Sequence, residues 1–249
     1  MPLSISVLYR PLITVYRKLP APVRRCAEEV SVLRALRRQV GRFLQKDLSG
    51  EDLYDRDYFL DFAATREHDA STIVNTLCRL YSPASVIDVG CGGGQFLQEF
   101  ASQGVKARGF DGSTASVALC NERGCEAELL DLAGETLPDT PRPDLTMCLE
   151  VVEHLPEKAA ANCVAILAHV SNTLVLSAAH PGQGGIGHLN EQPPEYWIEK
   201  FVPYGFCLDE ADTELCRQEW KAAKVATWYW HNTIVLKRAP STSDCGVTE

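Results

Sequence analysis

From residue 85 onward, short apolar runs alternate with segments whose apolar positions recur at helical spacing. The runs at 85–89, 106–110, 127–130, 145–149, 172–177 and 233–236 predict strands. Helical spacing predicts helices at 63–81, 95–103, 115–122, 157–170, 194–201 and 214–224. The first of these ends before Ser82 and Pro83, because proline cannot continue the hydrogen-bond ladder. A strand followed by a helix, repeated along the chain, implies parallel strands joined by crossover helices, since a tight hairpin cannot connect parallel neighbours. The expected fold class is therefore α/β, an open doubly wound sheet.

The region before residue 47 differs in pattern and charge. Val30, Leu33, Leu36, Val40 and Phe43 recur at helical spacing with Arg34, Arg37, Arg38 and Arg42 between them, while Pro11, Pro20 and Pro22 break the preceding stretch. Residues 1–46 hold ten Lys or Arg against Glu28 and Glu29, although the whole chain of 249 residues carries a formal charge of −9. A basic amphipathic extension thus precedes an acidic body at 47–239, and the tail at 240–249 reads as disordered. The extension fits a helix packed on the body, a peripheral membrane or partner contact, or an organellar transit peptide. The acidic body argues against nucleic acid as the partner, because phosphate binding requires clustered cations.

Hydrophobic residues make up 45% and charged residues 23%, a globular composition without a run of about 20 apolar residues that would span a bilayer. The ten cysteines form no C-x-x-C pair and no zinc spacing. Cys91, Cys148 and Cys163 lie within apolar segments, as reduced core thiols do. A reducing compartment is expected, and the start of the chain lacks the pattern of a secretory signal, which points to the cytoplasm, with an organellar or membrane-peripheral site as the alternative.

The most informative segment runs Val86-Ile87-Asp88-Val89-Gly90-Cys91-Gly92-Gly93-Gly94, an apolar strand that delivers the chain to a glycine-rich turn before a helix. Glycine there lets a nucleotide-like ligand approach the backbone. Gln95 stands where the dinucleotide fingerprint needs its third glycine, which counts against a dehydrogenase. Asp111, at the end of the second strand, is placed to accept ribose hydroxyl hydrogen bonds.

Asp88-x-Gly90-x-Gly92-x-Gly94, with Asp111 after the second strand and Asp131-Leu132 after the third, resembles the class I S-adenosylmethionine-dependent methyltransferases over about residues 60–238. The resemblance implies a seven-stranded, mostly parallel Rossmann-like sheet with helices on both faces and S-adenosylmethionine as cofactor. It further implies that Gly90, Cys91, Gly92 and Gly94 pass under the methionine part, with Asp88 and Glu150 helping to place the cofactor. Asp111 would bind the ribose, Asp131 the adenine amino group, and the backbone of Leu132 the adenine ring.

The fourth strand runs out at its carboxyl end into Glu150, Glu153 and His154, where open α/β sheets keep their sites. Glu-x-x-Glu-His is similar to two metal-using branches of the family, the small-RNA 2'-hydroxyl methyltransferases and the ubiquinone-pathway O-methyltransferases. That likeness implies a divalent cation, Mg2+ or another, held by Glu150, Glu153, His154 and His188. The other reading is an acidic first turn of a helix, which needs no ligand.

After the fifth strand, residues 180–194 bring four glycines in six positions with His180, His188, Asn190 and Glu191, followed by Trp197. A mobile loop over the sheet edge is expected, with His188 catalytic or a metal ligand and with His180, Asn190, Glu191 and Trp197 meeting the acceptor. The loop resembles that of a bacterial methyltransferase subgroup associated with sugar tailoring. The expected function is O-methylation of a small hydroxylated acceptor, a sugar or a phenol, with His154 as base or metal ligand aided by Glu153. The alternatives are a small-molecule N-methyltransferase, an RNA methyltransferase using the basic extension, and a cofactor-binding scaffold without turnover.

Overall fold

The computed structural model describes residues 54, 56–134, 136–185 and 187–239. The basic extension at 1–46 and the tail at 240–249 lie outside the described residues. The chain opens with α1 (Arg56–Thr65) and α2 (Glu67–Tyr81), then runs β1 (Ser85–Val89), α3 (Gln95–Ser102), β2 (Lys106–Asp111), α4 (Thr114–Glu122) and β3 (Glu126–Leu129). It continues through β4 (Leu145–Leu149), α5 (Ala160–Val170), β5 (Thr173–Ser177), α6 (Pro194–Phe201), β6 (Phe206–Leu208), α7 (Glu210–Ala222), α8 (Thr227–Asn232) and β7 (Ile234–Arg238).

Seven strands form one sheet in the order β3-β2-β1-β4-β5-β7-β6. β1 pairs in parallel with both β2 and β4, whereas β7 is antiparallel to β5 and β6. Period-two alternation divides the sheet into two dry faces. Leu145, Met147 and Leu149 of β4, Val175 of β5 and Val235 of β7 pack with Ile73 and Leu77 of α2, Phe100 of α3 and Trp220 of α7. Cys148, Leu174, Leu176, Ile234 and Leu236 point the other way, onto Val164 and Leu167 of α5 and Trp197 and Phe201 of α6. Strands buried on both faces read as continuous apolar runs, which is why β1, β4 and β5 were legible in the sequence.

Three departures from the pattern have local causes. The helix expected at 63–81 is two helices, broken where the Thr65 hydroxyl donates back to the carbonyls of Asp61 and Phe62. α2 then ends at Ser82, which adopts φ 44° ahead of Pro83. β6 is three residues long and α8 six, too short for periodicity to register.

Walking outward from β1 the chain adds β2 and β3, then returns to place β4 on the other side of β1. That reversal opens a crevice beyond the carboxyl ends of β1 and β4, the position at which doubly wound sheets bind ligands. Among the described residues no helix is long and apolar enough to cross a membrane.

Phe100 is completely buried between α3 and the sheet. Phe100→Ala is expected to lower unfolding free energy by about 3–5 kcal/mol, read as a displaced urea midpoint with an unchanged slope.

Candidate active site

The glycine turn is built into the sheet edge from below and from one side. Gly90 and Cys91 both donate their N–H groups to the carbonyl of Phe110 on β2. The turn carbonyls point at α4, where the Gly92 oxygen accepts from Ser116 Oγ at 2.5 Å and from Cys120 Sγ at 3.2 Å, and the Gly93 oxygen from an Arg123 guanidinium nitrogen at 2.5 Å. Gly90 has φ +83°, and a Cβ there would lie 2.2 Å from Val151 Cγ2, so no side chain fits between β1 and β4 at this level. The Cys91 side chain faces the interior with Leu97, Cys120 and Ala127, and only its backbone belongs to the turn.

Asp111 takes the N–H of Gly92 at 2.8 Å on one oxygen and that of Ser113 at 2.8 Å on the other, which fixes its carboxylate between the turn and α4. Each oxygen keeps a further lone pair for a hydroxyl donor. Asp88 is buried at the end of β1, and its Oδ2 finds no hydrogen-bond partner among the described residues. Burial, with Asp111 adding repulsion, pushes its carboxyl up to about 7. Asp131 follows β3 on the surface and caps the N–H of Ala133 at 2.8 Å, while Leu132 is buried and its carbonyl accepts from Asn162.

At the end of β4 the backbone turns sharply. Glu150 adopts φ +56°, rare for a side-chain-bearing residue, and its N–H donates to the carbonyl and hydroxyl oxygens of Ser177 on β5. Its carboxylate accepts from Asn232 Nδ2 at 3.1 Å, and the same amide group donates to Gln183 at 3.0 Å. Burial raises the Glu150 carboxyl to about 7. Glu153 is completely buried, meets no hydrogen-bond partner in good geometry among the described residues, and is pushed further up by burial and by the charge of Glu150. Two adjacent acids in a dry site cannot both ionise without a cation between or beside them.

His154 stacks edge-on against His188, with ring centres 4.8 Å apart, and its Nδ1 lies 3.1 Å from the hydroxyl of Tyr54. Burial and the neighbouring His188 press its proton affinity down to about 3, so the ring is neutral across the physiological range. A carboxylate oxygen of Glu153 and ring nitrogens of His154 and His188 all lie within 4.8 Å of one another. Ligands on opposite sides of a cation stand roughly 4 Å apart, so small side-chain movements would bring these three onto one ion. Of the four residues expected to hold a metal, Glu150 is the one whose carboxylate is engaged elsewhere, by Asn232.

The glycine-rich loop is stitched down over this cluster. Leu189 and Asn190 donate their N–H groups to the carbonyl of Glu153 at 2.8 and 2.9 Å. Glu191 accepts from the backbone of Gly182 and Gly184 and from His188 Nδ1 at 3.0 Å. Its carboxylate therefore orients His188 and holds the loop closed instead of facing an acceptor. A Cβ on Gly185 would overlap the His188 ring, and one on Gly187 would lie 2.4 Å from the Tyr54 hydroxyl. His180 and Trp197 line a narrow crevice with Leu176, Ala178, Asn232 and Ile234, and His180 rests against His231 at 4.8 Å. Asn190 is buried and takes Gln192 on its side-chain oxygen. Asn232 and Tyr54 are tied to Glu150 and His154, and no spacing in the sequence links them to those partners.

Residues 62–176 match a protein family described as a methyltransferase domain. The ubiquinone biosynthesis O-methyltransferase of Alkalilimnicola ehrlichii is 32% identical over 117 residues, which cover 45% of this chain and 44% of that protein. Its namesake from Paraburkholderia xenovorans is 34% identical over 84 residues, 30% of this chain and 35% of that protein. The chain thus spans less than half the length of these curated relatives. Among solved structures, magnesium protoporphyrin IX methyltransferase from Synechocystis with bound S-adenosylmethionine aligns at TM-score 0.51 and 18% identity, covering 73% of this chain and 84% of that one. Human N-acetylserotonin methyltransferase in complex with S-adenosylmethionine aligns at TM-score 0.55 and 13% identity, covering 88% and 72%. At these identities the structural likeness is one of fold.

The raised carboxyl of Asp88 means that the folded protein keeps a proton that the unfolded chain releases, so its contribution to stability is lost as pH climbs from about 4 towards 7. Asp88→Asn removes that penalty. The variant is expected to be more stable than the parent at pH 8, by on the order of 1–3 kcal/mol, and little changed at pH 4. Urea unfolding at both values checks this, and an equal effect at the two would show that the titration of Asp88 is not the cause.

Proposed function

We propose that the chain is a class I S-adenosylmethionine-dependent methyltransferase that moves the methyl group of S-adenosylmethionine to the oxygen of a small hydroxylated acceptor, a reading supported by the methyltransferase-domain family that residues 62–176 match. The observation that carries the oxygen assignment is the cluster of Glu153, His154 and His188 beyond β4, one switch-point away from the glycine turn. The names of the partial relatives, which are O-methyltransferases, point the same way.

The crevice suits the cofactor in shape and charge. Asp111 would offer its remaining lone pairs to the ribose hydroxyls, the glycine turn allows the chain of the methionine part to lie against backbone, and Asp88, on the strand before the turn, keeps an oxygen without a hydrogen-bond partner among the described residues. Asp131 and the Leu132 backbone, which follow β3, would take the adenine. A sulfonium is cationic, and acids at the strand ends favour it.

The methyl carbon of a sulfonium is already electrophilic, so the protein has to align an oxygen behind it and take one proton. The acceptor oxygen forms the new C–O bond, the C–S bond breaks with its electron pair going to sulfur, and the hydroxyl proton leaves to His154 or to a group it relays to. A neutral His154 has a lone pair for that proton or for a cation. Glu153 with its unpartnered oxygens, and two imidazoles, one of them oriented by Glu191, make a donor set that fits a divalent ion. Two nitrogen ligands to one carboxylate favour zinc, manganese or iron over Mg2+, which prefers all-oxygen surroundings. A bound ion there would lower the pKa of an acceptor hydroxyl.

Two measurements test the reading. Asp111→Ala is expected to weaken S-adenosylmethionine binding at least roughly tenfold, for the loss of charge-assisted hydrogen bonds to the ribose, in a protein that stays folded with an unfolding midpoint lowered by the loss of the bonds to Gly92 and Ser113; an unaltered calorimetric affinity would refute the ribose assignment. Incubating the protein with methyl-labelled cofactor and a metabolite extract should yield a labelled, base-stable O-methyl product. Combining Glu153→Gln with His154→Ala should reduce that labelling by roughly 100-fold or more while cofactor affinity is kept. Label on nitrogen, insensitive to both a chelator and this double substitution, would replace the O-methyl reading with N-methylation.

A further inference from the structure

One segment touches both halves of the crevice. Phe59 of α1 lies 3.8 Å from where a Cβ on Gly92 would stand, and its carbonyl lies 2.9 Å from the same position on Gly93, so α1 rests on the glycine turn. Arg56 forms a paired salt bridge with Glu122 at the end of α4. Just ahead of α1, the Tyr54 carbonyl accepts from Ser113 Oγ, and the N–H of Ser113 is held by Asp111. From that anchored backbone the Tyr54 side chain reaches over to the β4 half, where its hydroxyl meets His154 Nδ1 at 3.1 Å and its ring meets the imidazole edge-on at 5.6 Å. Tyr58 and Phe59 brace the phenol at 5.1 and 6.4 Å, and Gly187, at φ +80°, leaves the room in which Tyr54 and His154 meet.

We propose that Tyr54 is a positioning residue for methyl transfer: its hydroxyl holds Nδ1 of His154 and so presents Nε2 to the acceptor hydroxyl or to a cation. The proposal rests on the reading of His154 given above. A neutral imidazole carries one hydrogen, and the partner of one nitrogen decides which nitrogen is left with a lone pair. For Nε2 to accept a proton or bind an ion, the hydrogen must sit on Nδ1 and be donated to an oxygen, and the Tyr54 phenol lies within hydrogen-bond distance of Nδ1. Tyr54 would serve His154 as Glu191 serves His188. Because Tyr54 belongs to the segment that covers the glycine turn, the ring is held correctly only when that segment lies over the cofactor half.

Tyr54→Phe keeps the ring and its aromatic contacts and removes the hydroxyl alone. In the full chain, kcat is expected to fall roughly 10- to 100-fold, with cofactor Kd and acceptor KM within about threefold of the parent. In a His154→Ala background the same substitution should cost nothing more, since the two side chains act as a unit. A readout independent of turnover is the nitrogen NMR spectrum of protein labelled in histidine. His154 should show the Nδ1–H tautomer in the parent and a mixture of tautomers in Tyr54→Phe. An unchanged kcat in a protein that methylates, a loss of cofactor affinity in place of kcat, or the same tautomer in both proteins would overturn the role given to Tyr54. A tautomer change in a protein that methylates nothing would retain the positioning contact and remove the proposed reaction instead.

Discussion

Everything at the crevice depends on β1 and β4 lying side by side and parallel. That pairing, Val86 with Leu145 through Asp88 with Met147, brings two carboxyl ends to the same edge although β2, β3 and their connections intervene. Parallel strands release their ends in one direction, so the glycine turn after β1 and the acidic turn after β4 face the same space. The approach is so close that only a glycine fits at position 90 beside Val151. The two dry faces of the sheet, filled by helices from both sides, make this edge rigid.

The edge is electrostatically unbalanced in a way that invites cations. Asp88, Glu150 and Glu153 are buried acids with raised proton affinities, and burial is the leading cause for each. Proteins tolerate such groups where they are paired or used. On the proposed function, Asp88 would meet a sulfonium cofactor and Glu153 a divalent ion. His154 is shifted in the complementary sense, so a neutral imidazole and a proton-retaining carboxyl stand next to each other in sequence.

Two coverings complete the site, and they are built differently. The loop after β5 is closed by backbone hydrogen bonds to the Glu153 carbonyl and by the carboxylate of Glu191, which keeps His188 against His154. The segment before α2 is held by aromatic contacts and by the exposed Arg56–Glu122 pair, whose worth at a surface is small. The loop is thus tied to the site by backbone bonds and the first segment mainly by side-chain contacts, with Tyr54 joining that segment to His154.

The sequence by itself determined the sheet and its ligand class. Strands at 85–89 and 145–149 were legible to the residue, because a strand buried on both faces is apolar at most positions, and the turn was legible because glycine there is a steric requirement of the backbone. Acids at the ends of β1, β2 and β4 could be named as candidates because chain order puts strand ends at one edge. The tertiary structure alone decided which of those groups meet. Glu150 turns to Asn232, Glu153 to the two histidines, Glu191 to the loop backbone, and Tyr54 crosses 100 positions to His154. Those choices follow from side-chain direction, a left-handed residue at Glu150 and the folding of a glycine loop. None of these leaves a periodic or compositional trace, since a hydrogen bond between residues distant in sequence constrains geometry and not spacing.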